Sequence, residues 1–296
     1  MSVIHVSEEV RDALASGGPV VGLETTLVAH GFPYPQGVEV GLASERRVRR
    51  AGAIPATIGV LDGQIRVGLT EAELGRFTPE ARKCGPRDLA AAAVQETVGG
   101  TTVGGTVAAA RAVGIRFMGT GGLGGVHRGW PLPPDVSADL GELARSEVLV
   151  VSSGVKSLLD VPSTAELLET LGIPVLGYRT DELPLFYAAR GGPPVSARVE
   201  SAEEAAQVAR AHWTLDRAAL VLARPPVESL DDVEPLIERA LADAKAQGVS
   251  GQAVTPFVLS FLHRESGGRT ERANLDLIAD NVALAAEVAV AYSRLA

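Results

Sequence analysis

A single cysteine, Cys84, stands in a chain of 296 residues. It cannot form an internal disulfide, which fits a reducing, cytoplasmic compartment. Aromatic residues make up only 4% of the chain, although hydrophobic residues reach 46%. A core of that composition is built from Val, Leu, Ala and Ile, which favours buried parallel strands under Ala-rich helices. No run of about 18 apolar residues occurs, so no membrane span is expected. The opening MSVIHVSEEV has no basic stretch followed by an apolar one, so no secretory signal is read from it. Positive charge is also short. A formal net charge of −9 argues against a nucleic-acid binder, which needs a basic face for phosphates. It leaves room for one local basic pocket that takes a phosphorylated small molecule.

Lysine is the scarcest of the charged residues. Only Lys83, Lys156 and Lys245 are present, and the other 24 basic residues are arginines. Surface charge in this chain is therefore an arginine function. Arginine is too basic to act as an amine nucleophile, whereas a desolvated lysine can lose its proton and attack a carbonyl carbon. Each lysine thus calls for a separate reading.

Strand and helix patterns alternate along the chain. Short apolar strands are read at 19–23, 54–61, 115–120, 147–153, 174–178 and 218–224, with helices at 37–51, 88–98, 106–113, 137–145, 164–171, 201–212, 230–247 and 273–295. Asp62-Gly63 marks a hairpin into 64–69, and Thr70 with Glu73 reads as a capping box. The alternation implies an α/β fold with a mostly parallel or mixed central sheet and helices on both faces. No linker separates domains, so residues 1–296 are read as one domain.

Lys156 follows the apolar strand 147–153 through Gly154 and Val155. In open α/β sheets ligands sit beyond the carboxyl ends of the strands, which is where a functional side chain belongs. The same position also suits an exposed lysine opening a loop. Lys83, in KCGPRDL (83–89), could clamp an anion together with Arg87, or both could be solvated charges before a helix. Lys245 lies on a polar helix face and is assigned to solvent. Glu24, directly after an apolar strand, is a candidate general acid or a surface glutamate. Asp135 and Asp139 flank Ser137 near a helix start, where carboxylates often cap. One loop carboxylate also suits a hydrated magnesium or manganese ion. His30 and His127 could orient substrate or satisfy loop backbone. The five histidines are scattered, so no zinc pattern exists. The Gly-rich segments 99–106 and 119–125 allow close backbone approach to phosphate, but neither has the spacing of a dinucleotide site.

In combination these segments resemble the pseudouridine-5′-phosphate glycosidase family, also called indigoidine synthase A-like proteins. The matching stretches are GLETTLVAHGFPYPQG (22–37), PATIGVLDG (55–63), KCGPRDL (83–89), GGTTVGGT (99–106), GTGGLGGVHRG (119–129), DVSADLGEL (135–143), VVSSGVKSLLDVPST (150–164) and GYRTDELPLFY (177–187). VTPF (254–257) and ANLDLIADNVALAAEVA (273–289) extend the match over nearly the whole chain.

The resemblance implies a mixed-sheet α/β fold, a homotrimer, and a manganese-dependent enzyme without an organic cofactor. It implies reversible cleavage of pseudouridine 5′-phosphate to uracil and ribose 5-phosphate. By position it implies Glu24 as proton donor, Lys156 as covalent nucleophile and Asp135 as metal ligand. Lys83, Val103, Ser137, Ala138 and Asp139 are implied as substrate contacts. His127 is added to them as a candidate that orients substrate. Asn281 is similar to a family asparagine near the uracil, with Asn274 competing for that match. The chain departs from the family pattern at Gly85 and Pro86, which stand for a serine and an arginine. Ser153 stands for an alanine, and Arg224-Pro225 for an asparagine-proline pair. A different Schiff-base lyase on a sugar phosphate, sharing Lys156, and a nucleotide-sensing module are the alternative readings.

Overall fold

The computed structural model describes residues 3–129, 135–215 and 218–295. The chain runs β1 (Ile4–Val6), α1 (Glu8–Ala15), β2 (Val20–Glu24), a π-helical turn (Leu27–Gly31) and α2 (Gln36–Arg50). It continues through β3 (Ile54–Leu61), β4 (Gln64–Val67), α3 (Glu71–Leu74), β5 (Arg82–Cys84), α4 (Leu89–Val94), β6 (Gly99–Thr101) and α5 (Val103–Val113). Next come β7 (Phe117–Gly119), β8 (Val126–His127), α6 (Ala138–Leu143), β9 (Leu149–Ser152), β10 (Leu159–Asp160), α7 (Val161–Thr170) and β11 (Val175–Tyr178). Last are β12 (Ala197–Val199), α8 (Ala202–Leu215), β13 (Leu220–Ala223), α9 (Glu234–Ala246), α10 (Val254–Glu265) and α11 (Arg269–Ser293).

The main sheet has the order β1-β4-β3-β2-β7-β9-β13-β11-β12, with β5 and β6 added beside β3. Only β3–β4 and β3–β6 pair antiparallel among the described strands of that sheet. The expected α/β fold, mostly parallel and mixed, is therefore what forms. Alternating side chains of β2 show why both faces are covered. Val21 and Leu23 pack with Val40 and Val48 of α2 and with α11. Val20 faces the other way, into a cluster with Val10 of α1, Ala92 of α4 and Ala109 of α5. Such two-sided burial requires strands that are apolar throughout, and β9 (LVVS) and β13 (LVLA) are buried along their whole length.

Sequence patterning misses some elements. Residues 82–84 and 99–101 are not loops. They are short strands paired in parallel, Lys83 opposite Gly100. β6 reaches β3 at Gly59 and Val60, just past the last residue that pairs with β2. Three residues in GGT carry too little side chain to signal a strand; its ladder partners define it. Helix α10 is a further element absent from the helices read above; its Pro256 sits in the first helical turn, where it lacks only an N–H that has no partner there. None of the helices among the described residues is long and apolar enough to cross a membrane.

Buried threonines join β6 to the end of β3. Thr25 Oγ1 donates to the Ile58 carbonyl at 2.7 Å and accepts from the Thr101 N–H at 2.9 Å. Thr101 Oγ1 donates to the same carbonyl, also at 2.7 Å. Thr25→Val keeps the shape but orphans the Thr101 N–H, at a cost of about 1–3 kcal/mol. The expected result is a lower urea midpoint with an unchanged denaturant slope.

Candidate active site

β2, β7 and β9 are neighbours in the sheet and parallel. The chain leaves β2 toward β3 on one side and leaves β7 toward β9 on the other. The crevice above β2 and β7 is therefore a topological switch point, the place where open α/β sheets hold ligands. A cavity of about 420 Å³ lies there. Its wall includes Glu24 from the end of β2, Thr120 and the Gly121–Gly124 loop after β7, and Lys156 after β9. Lys83 of β5, Val103 at the start of α5, and His127, Asp135, Ser137, Ala138 and Asp139 complete the polar side. Thr255, Pro256 and Leu259 of α10 close the opposite wall.

Nine of the ten residues expected from sequence thus face one cavity. Asn281 is the exception. It is fully buried behind the wall, where its Nδ2 donates to the Thr120 carbonyl at 2.8 Å and to Ser153 Oγ at 3.1 Å. Asn274, seven residues earlier on α11, lines the cavity instead. Two helical turns separate them, so both lie on the inner face of one helix. Spacing alone cannot tell which of the two reaches the ligand. Thr120 carried no signal beyond its place at the end of a strand. Lys245 is exposed on α9, as expected.

Loop geometry aims these groups. Gly154, between β9 and Lys156, has φ +75°, and a Cβ there would stand 2.0 Å from the Pro184 carbonyl oxygen. Only glycine fits that turn. A Cβ at Gly124 would meet Ser137 Oγ at 2.3 Å and Asp139 Oδ2 at 2.5 Å. Gly124 therefore owes its place in the second Gly-rich segment to close packing against the Asp139 carboxylate. That carboxylate accepts from Gly104 N–H at 2.7 Å and Gly124 N–H at 3.0 Å.

Burial sets the electrostatics. It pushes the Glu24 carboxyl above its ordinary range, against the pull of Lys156 and of a 2.5 Å hydrogen bond from Thr120 Oγ1. Burial, with Lys156 as a like charge, pushes the Lys83 amine down while Asp139 and Glu24 pull it back up. His127 is likewise held below its usual value by burial, with Asp135 opposing. Lys83, Lys156, Glu24, Asp135, Asp139 and His127 thus share one small volume. A carboxyl raised by burial beside an amine is suited to giving up and taking back a proton.

Asp135 reaches solvent, with 44% of its side chain exposed and Oδ2 3.8 Å from His127 Nδ1. The described residues contain no group of three His, Cys, Asp or Glu side chains placed to enclose a metal. A lone carboxylate fits a hydrated divalent ion that keeps most of its waters, not a protein-enclosed one. The departures also find their places. Ser153 Oγ meets Asn281 in the core. Gly85 N–H donates to Asp88. Arg224 pairs with Asp280 at 2.9 Å.

A carboxyl whose folded value is raised binds more protons folded than unfolded, so its contribution to stability falls as pH rises above about 4.5. Glu24→Gln should therefore unfold at higher temperature than the parent chain at pH ~8, with the gap closing toward pH ~4. Thr120→Val removes a hydrogen bond that favours the ionised form, so the Glu24 titration, followed by carboxyl carbon NMR, should move further upward.

Comparison with known proteins agrees with this geometry. The family model described as "Indigoidine synthase A like protein" matches residues 9–291. The pseudouridine-5′-phosphate glycosidase of Myxococcus xanthus is 46% identical over 98% of this chain and 99% of its own. That of Streptomyces griseus is 48% identical over 97% and 91%. Among solved structures, the prealnumycin C-glycosynthase AlnA in complex with ribulose 5-phosphate superposes with a TM-score of 0.90 at 38% identity, covering 100% of this chain and 98% of that one. An indigoidine synthase A-like protein of Thermotoga maritima gives 0.88, also at 38% identity, over 99% and 98%. On a family-model match over residues 9–291 and relatives similar over nearly the whole chain, this chain belongs to the indigoidine synthase A-like family.

Proposed function

We propose that this chain reversibly cleaves the carbon–carbon glycosidic bond of pseudouridine 5′-phosphate, giving uracil and ribose 5-phosphate. The observation that carries the reading is the meeting of Glu24 and Lys156 in one cavity, at the ends of the parallel strands β2 and β9 that flank β7. Relatives that carry this enzyme name match over 97–98% of the chain. The AlnA structure holds a pentose phosphate.

The bond to be broken joins two carbons, so protonating a leaving heteroatom, as two-carboxylate glycosidases do, is not available. The residues suggest a covalent route. The Lys156 amine bonds to the ribose C1′ as the bond from C1′ to the ring oxygen breaks. Glu24, whose carboxyl is pushed above its ordinary range by burial, gives that oxygen its proton. The amine at C1′ then pushes out uracil as its C5 takes a proton, leaving a Schiff base. Water adds to the imine carbon and releases ribose 5-phosphate and free Lys156. Dividing one hard step into easier ones is what a covalent intermediate achieves. Lys83, with the exposed Arg87 at the rim, supplies positive charge for the phosphate, whose binding energy holds the opened sugar in register.

Manganese would be held by Asp135, with water completing its shell, and when bound it supplies positive charge beside the substrate's oxygens. Asn274 on the cavity wall is the base contact we favour over Asn281. A cytoplasmic homotrimer completes the reading, on the strength of the family resemblance.

Lys156→Ala should fold and bind ribose 5-phosphate yet release no uracil, measured by ultraviolet absorbance, and form no borohydride-trappable adduct. Lys156→Arg should be equally inactive although it keeps the charge. Asp135→Asn should raise the manganese concentration needed for half-maximal coupling of uracil to ribose 5-phosphate, followed by mass spectrometry of the nucleotide. Undiminished turnover of Lys156→Ala would end the covalent reading.

A further inference from the structure

Arg128 does not line the cavity, yet its guanidinium holds the segment that carries Lys156. Its Nη2 donates to the Ser157 carbonyl at 2.7 Å and its Nε to the Leu159 carbonyl at 3.4 Å. Its Nη1 meets Glu234 Oε1, at the start of α9, at 2.6 Å. The turn it grips begins at Lys156 and is closed by the Leu159 N–H donating to the Lys156 carbonyl at 2.9 Å. Ser157 and Leu159 are nearly buried, so their carbonyls need protein donors in place of water. Two more ties set this turn against the other catalytic loop. Leu159 pairs with His127, and Asp160 with Val126, in a separate two-stranded sheet. On the same strand, Val126 bridges Val136, and the His127 N–H donates to the Asp135 carbonyl at 2.9 Å.

We propose that Arg128 is a positioning residue for the reaction: its fork locks the Lys156 turn to β8, the strand of Val126 and His127, and Glu234 orients the fork. A planar guanidinium with several fixed donors can serve two carbonyls and one carboxylate at once, which an ammonium on a flexible stem does not do as well. Loss of the fork frees the turn to shift relative to the bound sugar, and a nucleophile displaced by about 1 Å costs up to about a hundredfold in rate. Binding of the sugar phosphate, which rests on other residues, is left intact. The inference rests on the covalent role of Lys156.

The test uses the full-length, manganese-loaded protein with ribose 5-phosphate and borohydride, following both the rate and the final amount of trapped adduct, alongside kcat and KM for pseudouridine 5′-phosphate cleavage. Arg128→Ala should lower kcat and the trapping rate roughly ten- to a hundredfold, with KM changed less than about twofold and the final amount of adduct unchanged. Added methylguanidinium should restore part of the rate, which a general loss of folding would not allow. Glu234→Gln, which keeps Arg128, should show a smaller loss of the same kind. If Arg128→Ala does not fold, Arg128→Lys carries the test, with an intermediate rate expected. Trapping at the parent rate in Arg128→Ala, or in Arg128→Lys where that variant replaces it, overturns the proposal. Uracil release by a parent protein that gives no trapped adduct would instead overturn the Lys156 chemistry beneath it.

Discussion

One buried carboxylate holds the site together. Asp139 is 5% exposed and receives backbone N–H groups from two separate segments, Gly104 at the start of α5 and Gly124 in the loop after β7. Its own N–H donates to Ser137 Oγ at 3.2 Å, which caps α6. Each of its oxygens is therefore held by one backbone N–H, which fixes where the carboxylate stands in the cavity wall. A buried charge is tolerable only when it is hydrogen-bonded in this way. The glycines around it follow from the same constraint, because side chains at 104 and 124 would stand in its place.

The charge so fixed shapes its neighbours. Asp139 raises Glu24 and counters the burial that lowers Lys83, while Lys156 acts on both with the opposite sign. Burial thus pushes the Glu24 carboxyl up and the Lys83 amine down, each disfavouring the charged form, an arrangement less stable than a solvated one. Such strain is tolerated where chemistry requires it, and the rest of the fold has to supply the compensating stability. Here that support is a sheet with fully buried central strands and helices on each face. The loops that carry the reactive groups are tied by backbone ladders and by arginine, the basic residue this chain uses almost everywhere outside the cavity.

Much of this was written in the one-dimensional pattern. Apolar runs such as EVLVVSS and AALVLAR marked buried strands, because a strand covered on both faces cannot alternate polar and apolar residues. The scarcity of lysine singled out Lys83 and Lys156, and the strand-end positions of Glu24 and Lys156 pointed to one edge of the sheet. What the pattern could not mark were features whose signal lies in a partner. β5 and β6 exist because each finds the other and β3. Thr120 matters because Glu24 lies across the crevice from it.

The chain alone thus determined the fold class, the strands that bear the reactive residues, and the residue types able to carry the chemistry, since these follow from local periodicity and side-chain chemistry. Tertiary structure decided which of two asparagines on α11 faces the cavity and which supports its wall. It also decided that Asp139 is a bracket and that Arg128 braces the Lys156 turn. Those roles depend on distances between segments far apart in sequence, and a hydrogen bond leaves its record in space, at about 3 Å, rather than along the chain.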